Sequence, residues 1–273
     1  MTDPVAAHYG ADAGLASRIA ERLRAAGKDL STLTTRDLAA VDEFHTRGRP
    51  ATLELAERMR IGPGHRVLDI GSGLGGPARS VAEAYECAVT GLDLNAEFCR
   101  TAAELSAWVG LDGRVTFRCG DATQLPFDAA AFDAAMTLHA AMNIPAKDAV
   151  YAEARRVLKP GGVLAIYDVL QGKGGPALFP VPWAREPEAS HLATPSEMRE
   201  LLTAAGFAIE DEADSSMESL RWFEAAVARM ASAGLPAVSL QAVLGDDFLL
   251  MARTVTRNLA DDRIRTVTYI CRA

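Results

Sequence analysis

Between residues 66 and 168, short apolar runs alternate with longer amphipathic ones. Arg66–Ile70, Ala88–Leu92, Val115–Cys119, Phe132–Leu138 and Gly162–Asp168 read as strands, and Gly76–Tyr85, Ala96–Val109 and Ala146–Leu158 as helices. Strands that alternate with helices over links of this length predict a parallel sheet covered on both faces. Upstream, residues 1 to about 62 read as helical. Leu15, Ile19, Leu23 and Ala26 recur at helical spacing before a stop at Gly27, and a second helix starts near Pro50 and carries Leu53, Leu55, Ala56 and Met59. Downstream, Gly172 to Pro195 holds three glycines and five prolines and reads as a long covering loop. Pro195–Ala205 is a predicted helix and Phe207–Ala213 a strand. Glu218–Leu259 is mostly helix, broken near Gly234–Pro236, and Arg263–Arg272, with imperfect alternation, suits a last strand at a sheet edge. The expected organisation is an N-terminal helical cover (1–62) and one α/β domain (63–273), with covering segments near 171–195 and 218–260.

The chain has 273 residues, enough for such a domain, and no apolar window long enough for a membrane span. Met1–Gly10 lacks the basic start and apolar core of a secretory signal. With 28 basic against 36 acidic residues the net charge is −8 and no Lys/Arg cluster stands out, which argues against a nucleic-acid partner. Cys87, Cys99, Cys119 and Cys271 form no CxxC pair and the five histidines no HxH or HExxH pattern, so no metal site is expected. Scattered thiols suit a reducing cytoplasm. Nothing in the sequence points to an oligomeric state.

The chemistry concentrates at Val67-Leu-Asp-Ile-Gly71-Ser72-Gly73-Leu-Gly75-Gly76, a strand-to-helix turn where glycines let backbone approach a ligand. Gly71, Gly73 and Gly76 satisfy GxGxxG, which suits NAD as well as S-adenosylmethionine (SAM). Other features separate the two. Asp69 could anchor the turn or meet an ammonium group. Asp93 ends the second strand, 20 residues after Gly73, where an acid can accept hydrogen bonds from two ribose hydroxyls. Gly120-Asp121-Ala122 ends the third strand, where an acid followed by a small residue can receive an adenine amine and leave room for its ring. Leu158-Lys-Pro-Gly-Gly162 leads into the fifth strand.

With Gly91-Leu-Asp93-Leu-Asn95 and Phe127 with Phe132-Asp133, these motifs make residues 66–168 resemble the SAM-binding core of class I methyltransferases. The whole chain is similar to the branch holding glycine, sarcosine and dimethylglycine N-methyltransferases and quinone-biosynthesis C-methyltransferases. The resemblance implies a Rossmann-like α/β fold with a seven-stranded, mostly parallel sheet whose last strand is antiparallel. It also implies that SAM is the cofactor and that Gly71, Gly73, Asp93, Leu94, Asp121 and Ala122 contact it; Asp69 and Ser72 of the same turn are candidate cofactor residues beside them.

SAM is an activated methyl donor, so the protein mainly has to position the nucleophile, with a base where the acceptor carries a proton. His139 follows the fourth strand, at the sheet edge where α/β ligands bind, and is the candidate base. Met142, Asn143 and Trp183 are candidate pocket residues. His8, Tyr9, Phe44 and His45 in the N-terminal helices, and His191 and Trp222 in the covering segments, are read as packing. Glycine-type N-methyltransferases carry a glutamine just after the fourth strand, where this chain has Leu138 and His139, and no arginine matches a clamp for a substrate carboxylate. Both departures argue against an amino-acid acceptor. The expected function is methyl transfer to a small molecule, at an amine nitrogen first and at oxygen second. The alternatives are a quinone-type C-methyltransferase and a SAM-binding protein without catalysis.

Overall fold

The computed structural model describes residues 14–273. Its sheet consists of β1 (Arg66–Ile70), β2 (Ala88–Asp93), β3 (Val115–Cys119), β4 (Phe132–Leu138), β5 (Leu158–Gln171), β6 (Ala208–Asp214) and β7 (Ile264–Arg272), in the order β3-β2-β1-β4-β5-β7-β6. All pairings are parallel except those of β7, which runs antiparallel to β5 and β6. The expected Rossmann-like α/β sheet is therefore present. β1 lies between β2 and β4, so the chain reverses its direction of travel across the sheet there. Ligands of doubly wound sheets bind at such a switch point, beyond the carboxyl ends of the strands. Gly71, Asp93 and His139 all stand at those ends.

Two expectations change. β7 is an interior strand, bonded on both sides and buried along nearly its whole length, whereas β6 is the exposed edge. Burial on both faces is what blurred the alternation in its sequence. The Lys-Pro-Gly-Gly turn lies inside β5. Phe132 pairs with Leu158 and Ala134 already pairs with Val163, so residues 159–162 loop out of register, with Gly161 at φ +77°.

The helices are α1 (Leu15–Ala25), α2 (Thr35–Asp42), α3 (Gly48–Met59), α4 (Gly76–Tyr85), α5 (Ala96–Trp108), α6 (Lys147–Val157), α7 (Pro195–Ala204), α8 (Ser216–Ala233), α9 (Gln241–Leu244) and α10 (Phe248–Ala260). Side chains alternate between the faces of a strand. On β1, Leu68 and Ile70 pack with Tyr151 and Val157 of α6, and Val67 packs with Leu55 and Met59 of α3 and Val81 of α4. Helix α3 is thus part of the core layer. Phe223 of α8 and Ala252, Val255 and Leu259 of α10 pack against Val181 and Trp183 of the long loop. Buried Asn258 clips that loop, donating to the Leu178 carbonyl (2.9 Å) and accepting from its N–H (2.8 Å).

The N-terminal helices are tied to the glycine turn through Arg79 of α4, which is fully buried. Its guanidinium donates to Asp42 Oδ2 at the end of α2 (2.7 Å), to the Leu74 carbonyl in the turn (2.5 Å), and to the Ala102 carbonyl (3.0 Å) and Ser106 Oγ (3.1 Å) on α5. A Cβ on Gly76 would come within 2.4 Å of the Asp42 carbonyl oxygen, so only glycine admits this contact. Removing one partner of a buried ion pair strands the other charge. Asp42→Ala is expected to lower stability by about 3–5 kcal/mol, read as a lower urea midpoint at an unchanged slope.

Candidate active site

A cavity of about 520 Å³ opens over the switch point. One end is polar. Gly71 (φ +77°) and Gly73 (φ +51°) turn the chain sharply after β1, and a Cβ on Gly71 would lie 2.3 Å from that of Ala140. The Gly71 and Ser72 N–H groups donate to the Leu92 carbonyl (2.8 and 3.0 Å), which joins the turn to β2. The Asp93 carboxylate then bridges two backbone segments, accepting from the Gly73 N–H through Oδ2 (2.8 Å) and the Asn95 N–H through Oδ1 (2.9 Å). Each oxygen keeps one lone pair, the capacity needed for a vicinal diol. Burial nevertheless holds the Asp93 carboxyl above its usual range.

Gly71, Ser72, Gly73, Asp93, Leu94, Asp121 and Ala122 all line this end. Asp121 Oδ1 accepts from the Thr123 N–H and hydroxyl (2.8 Å each), which shapes the turn after β3. Phe98, Asn95 and Asp42 also line it and were missed from sequence. Asn95 reads locally as a helix cap, and it does accept from the Glu97 and Phe98 N–H groups. Asp69 is the exception among the expected cofactor residues. It shares a strand face with Val67, is 1% exposed and lies behind the turn rather than on the cavity wall. Burial, reinforced by the charges of Glu43 and Asp93, pushes its carboxyl up to about 8.

The other end is apolar. Met142, Trp183, Trp222, Phe223, Met230 and Phe248 line it with Ala226, Ala252 and Val255. Trp222, read from sequence as packing, is a wall residue, and so is His191. Leu94 and Trp222 are both exposed and border the mouth. Asn143 touches the cavity, but its amide donates to the Trp183 and Ala189 carbonyls (2.8 and 2.7 Å), so it anchors the cover. Trp183 Nε1 donates to Ser190 Oγ (3.0 Å). Among the described residues no Lys or Arg lines the cavity, whereas Asp42, Asp93, Asp121 and Glu188 do.

His139 stands where the two ends meet. Its neighbour Ala140 abuts Gly71, while Met142 accepts from the His191 N–H of the cover (2.7 Å). Its φ is +50° and its N–H donates to the Tyr167 carbonyl (2.8 Å). Its Nε2 is buried without a hydrogen-bond partner. Burial, and then the neighbouring His45, hold its pKa well below that of an ordinary histidine. The sequence-based expectation of an imidazole titrating near neutrality therefore changes. His45, from the segment after α2, is also on this wall, with ring centroids 6.0 Å apart, and Phe44 lines the cavity too. His8 and Tyr9 lie outside the described residues.

Residues 68–166 match the methyltransferase domain family. A sterol 24-C-methyltransferase of Gibberella zeae is 40% identical over 116 residues, which is 42% of this chain and 30% of that protein. The chain thus spans less than a third of the length of this relative. Among solved structures, the [4+2]-cyclase SpnF superposes with a TM-score of 0.66 at 29% identity, covering 82% of this chain and 80% of that one. A phosphoethanolamine N-methyltransferase of Haemonchus contortus, solved with SAM, superposes with a TM-score of 0.72 at 22% identity, covering 88% and 57%. Residues 68–166 thus match a methyltransferase domain, and the chain shares the fold of the solved methyltransferases on which it superposes.

Two outcomes are expected. A charged hydrogen bond contributes roughly 1.5–3 kcal/mol, so Asp93→Ala should weaken SAM binding about 10- to 150-fold in calorimetry, with the fold retained. Asp69 gives a stability signature. Its folded-state carboxyl keeps a proton that the unfolded chain releases above the ordinary value of 3.8, so this group makes stability fall as pH rises from there to about 8. Asp69→Asn removes that penalty. The gain of the variant over the parent in urea unfolding should widen across this window; a gain independent of pH would show that Asp69 is ionised throughout.

Proposed function

We propose that the chain transfers the SAM methyl group to a bulky, mainly apolar and uncharged acceptor that carries a hydroxyl or amine hydrogen at the attacked atom. The observation that carries this reading is the apolar lobe, continuous with the glycine turn and without a Lys or Arg on its wall among the described residues. An anionic acceptor such as a carboxylate or phosphate would be buried there unpaired and beside acids, at a cost that its binding could not offset. A cationic sulfonium is favoured by the same acids. The apolar wall excludes water and orients the acceptor, and positioning supplies most of what such a transfer needs. An activated carbon in a molecule of the same shape is the alternative nucleophile, and the named activity of the sterol methyltransferase relative supports it.

A second reading comes from the likeness to SpnF, a protein named for a cyclisation. One fold can host unrelated chemistries, and this cavity could hold SAM while an apolar guest reacts without consuming it. Incubation with methyl-labelled SAM and a panel of apolar phenols, alcohols, amines and quinols separates the two. Label in the organic product, with equimolar S-adenosylhomocysteine, is expected. Conversion of a panel member with SAM intact would sink the methyl-transfer reading.

The lobe itself is tested at Ala226, half-buried on its wall. Ala226→Trp should cost the acceptor about 1–3 kcal/mol of binding by overfilling. That corresponds to a KM raised ~5- to 150-fold, with SAM affinity unchanged. Equal losses for SAM and acceptor would place the guest elsewhere.

A further inference from the structure

Of the three imidazoles on the wall, His139 and His45, with ring centroids 6.0 Å apart, differ in how they are held. The His139 Nε2 is buried without a hydrogen-bond partner among the described residues. His45 is 6% exposed and fixed at one end. Its Nε2 lies 3.1 Å from the Gly48 carbonyl oxygen and 3.1 Å from Thr52 Oγ1. A carbonyl can only accept, so Nε2 must carry the hydrogen. The Nδ1 lone pair is then the ring's acceptor, in a residue that lines the cavity. Behind this ring, Thr52 Oγ1 donates to Glu43 Oε2 (2.7 Å), Ser80 Oγ donates to Glu43 Oε1 (2.6 Å), and Glu43 Oε2 stands 3.8 Å from His45 Nε2. An imidazole on the cavity wall whose Nε2–H is held by a backbone oxygen, with a carboxyl beyond it, is the arrangement that a general base requires.

We infer that His45 Nδ1, and not His139, receives the hydrogen of the acceptor's hydroxyl or amine during methyl transfer, with His139 acting as a wall that confines the reacting group. The inference rests on the methyl-transfer reading above. In the step, the acceptor's oxygen or nitrogen forms a bond to the methyl carbon as the carbon–sulfur bond breaks and its electron pair returns to sulfur. The O–H or N–H bond gives its electron pair to the nucleophile and its proton to Nδ1. The positive charge of the sulfonium thus reappears on the imidazolium, where the Gly48 carbonyl and the Glu43 carboxyl face it, and later leaves as a proton to solvent. Burial, with the nearby Arg47 charge against the hydrogen bond to Gly48, pushes its pKa down to about 4, so the resting imidazole is neutral at physiological pH and holds the proton only transiently.

The test has two arms on the full chain. Nitrogen-15 NMR of the imidazoles, without any acceptor, should find His45 neutral and protonated at Nε2 from pH 6 to 8. An Nδ1–H form overturns the inference. The second arm compares the parent, His45→Gln and His139→Gln with labelled SAM and whichever panel member the parent methylates best. Gln retains an N–H for the Gly48 carbonyl but offers no basic lone pair. His45→Gln should lower kcat ~100- to 10,000-fold, the usual contribution of a positioned base, with the SAM dissociation constant unchanged, while His139→Gln should lose less than tenfold. A kcat for His45→Gln within tenfold of the parent, or the larger loss at His139, overturns the assignment. A parent that binds SAM but methylates nothing in the panel fails the methyl-transfer reading instead, and the tautomer then decides His45 alone.

Discussion

The buried Arg79 guanidinium is the contact on which the arrangement of the site depends. It joins three segments distant in sequence: the end of α2 through Asp42, the glycine turn through Leu74, and α5 through Ala102 and Ser106. A charge removed from water is tolerable only when such partners surround it. The consequence is geometric. With α2 held against Gly76, the chain that follows brings Phe44 and His45 over the carboxyl ends of the strands. The N-terminal helices therefore complete the cavity instead of merely shielding it.

The two ends of the cavity follow different physical logic. At the polar end, backbone does most of the work: glycines at positive φ, N–H groups ordered by the Leu92 carbonyl, and one carboxylate that both fixes Gly73 and Asn95 and keeps spare acceptor capacity. Such a site is rigid and chemically specific. At the apolar end, side chains from the long loop, α8 and α10 meet around a space with few polar groups. On the proposed reading, selection there rests on shape and on the cost of burying charge, which separates acceptor classes coarsely and individual acceptors by a methylene at a time.

The likeness to a cyclase on one side and to sterol and phosphoethanolamine methyltransferases on the other fits this division. Residues 68–166, which carry the glycine turn, match the methyltransferase domain family, and that match ends before the long loop, α8 and α10. On the proposed reading, the acceptor is chosen by what the cover presents to the cavity.

Sequence alone determined the central strands and helices, the glycine turn and the strand-end positions of Asp93 and Asp121-Ala122, because each depends on contiguous residues whose periodicity or spacing is a local property, and the expectation of SAM came from the resemblance those motifs carry. Even the position of His139 at a strand end was legible by counting strands. Only the tertiary structure decided the rest. Asp69 turned out to face the α3 side because strand alternation gives it the face of Val67, away from the cavity. β7 became an interior strand because β6 pairs outside it, a long-range choice that local alternation cannot express. Asn143 became an anchor once the loop carbonyls of Trp183 and Ala189 came within its reach. The pairing of His45 with His139, and the fixed tautomer of one against the unpartnered Nε2 of the other, required α2, α3 and β4 to meet through side chains and carbonyls far apart in the chain. Contacts of that kind are set by packing and charge burial, and no single stretch of sequence contains them.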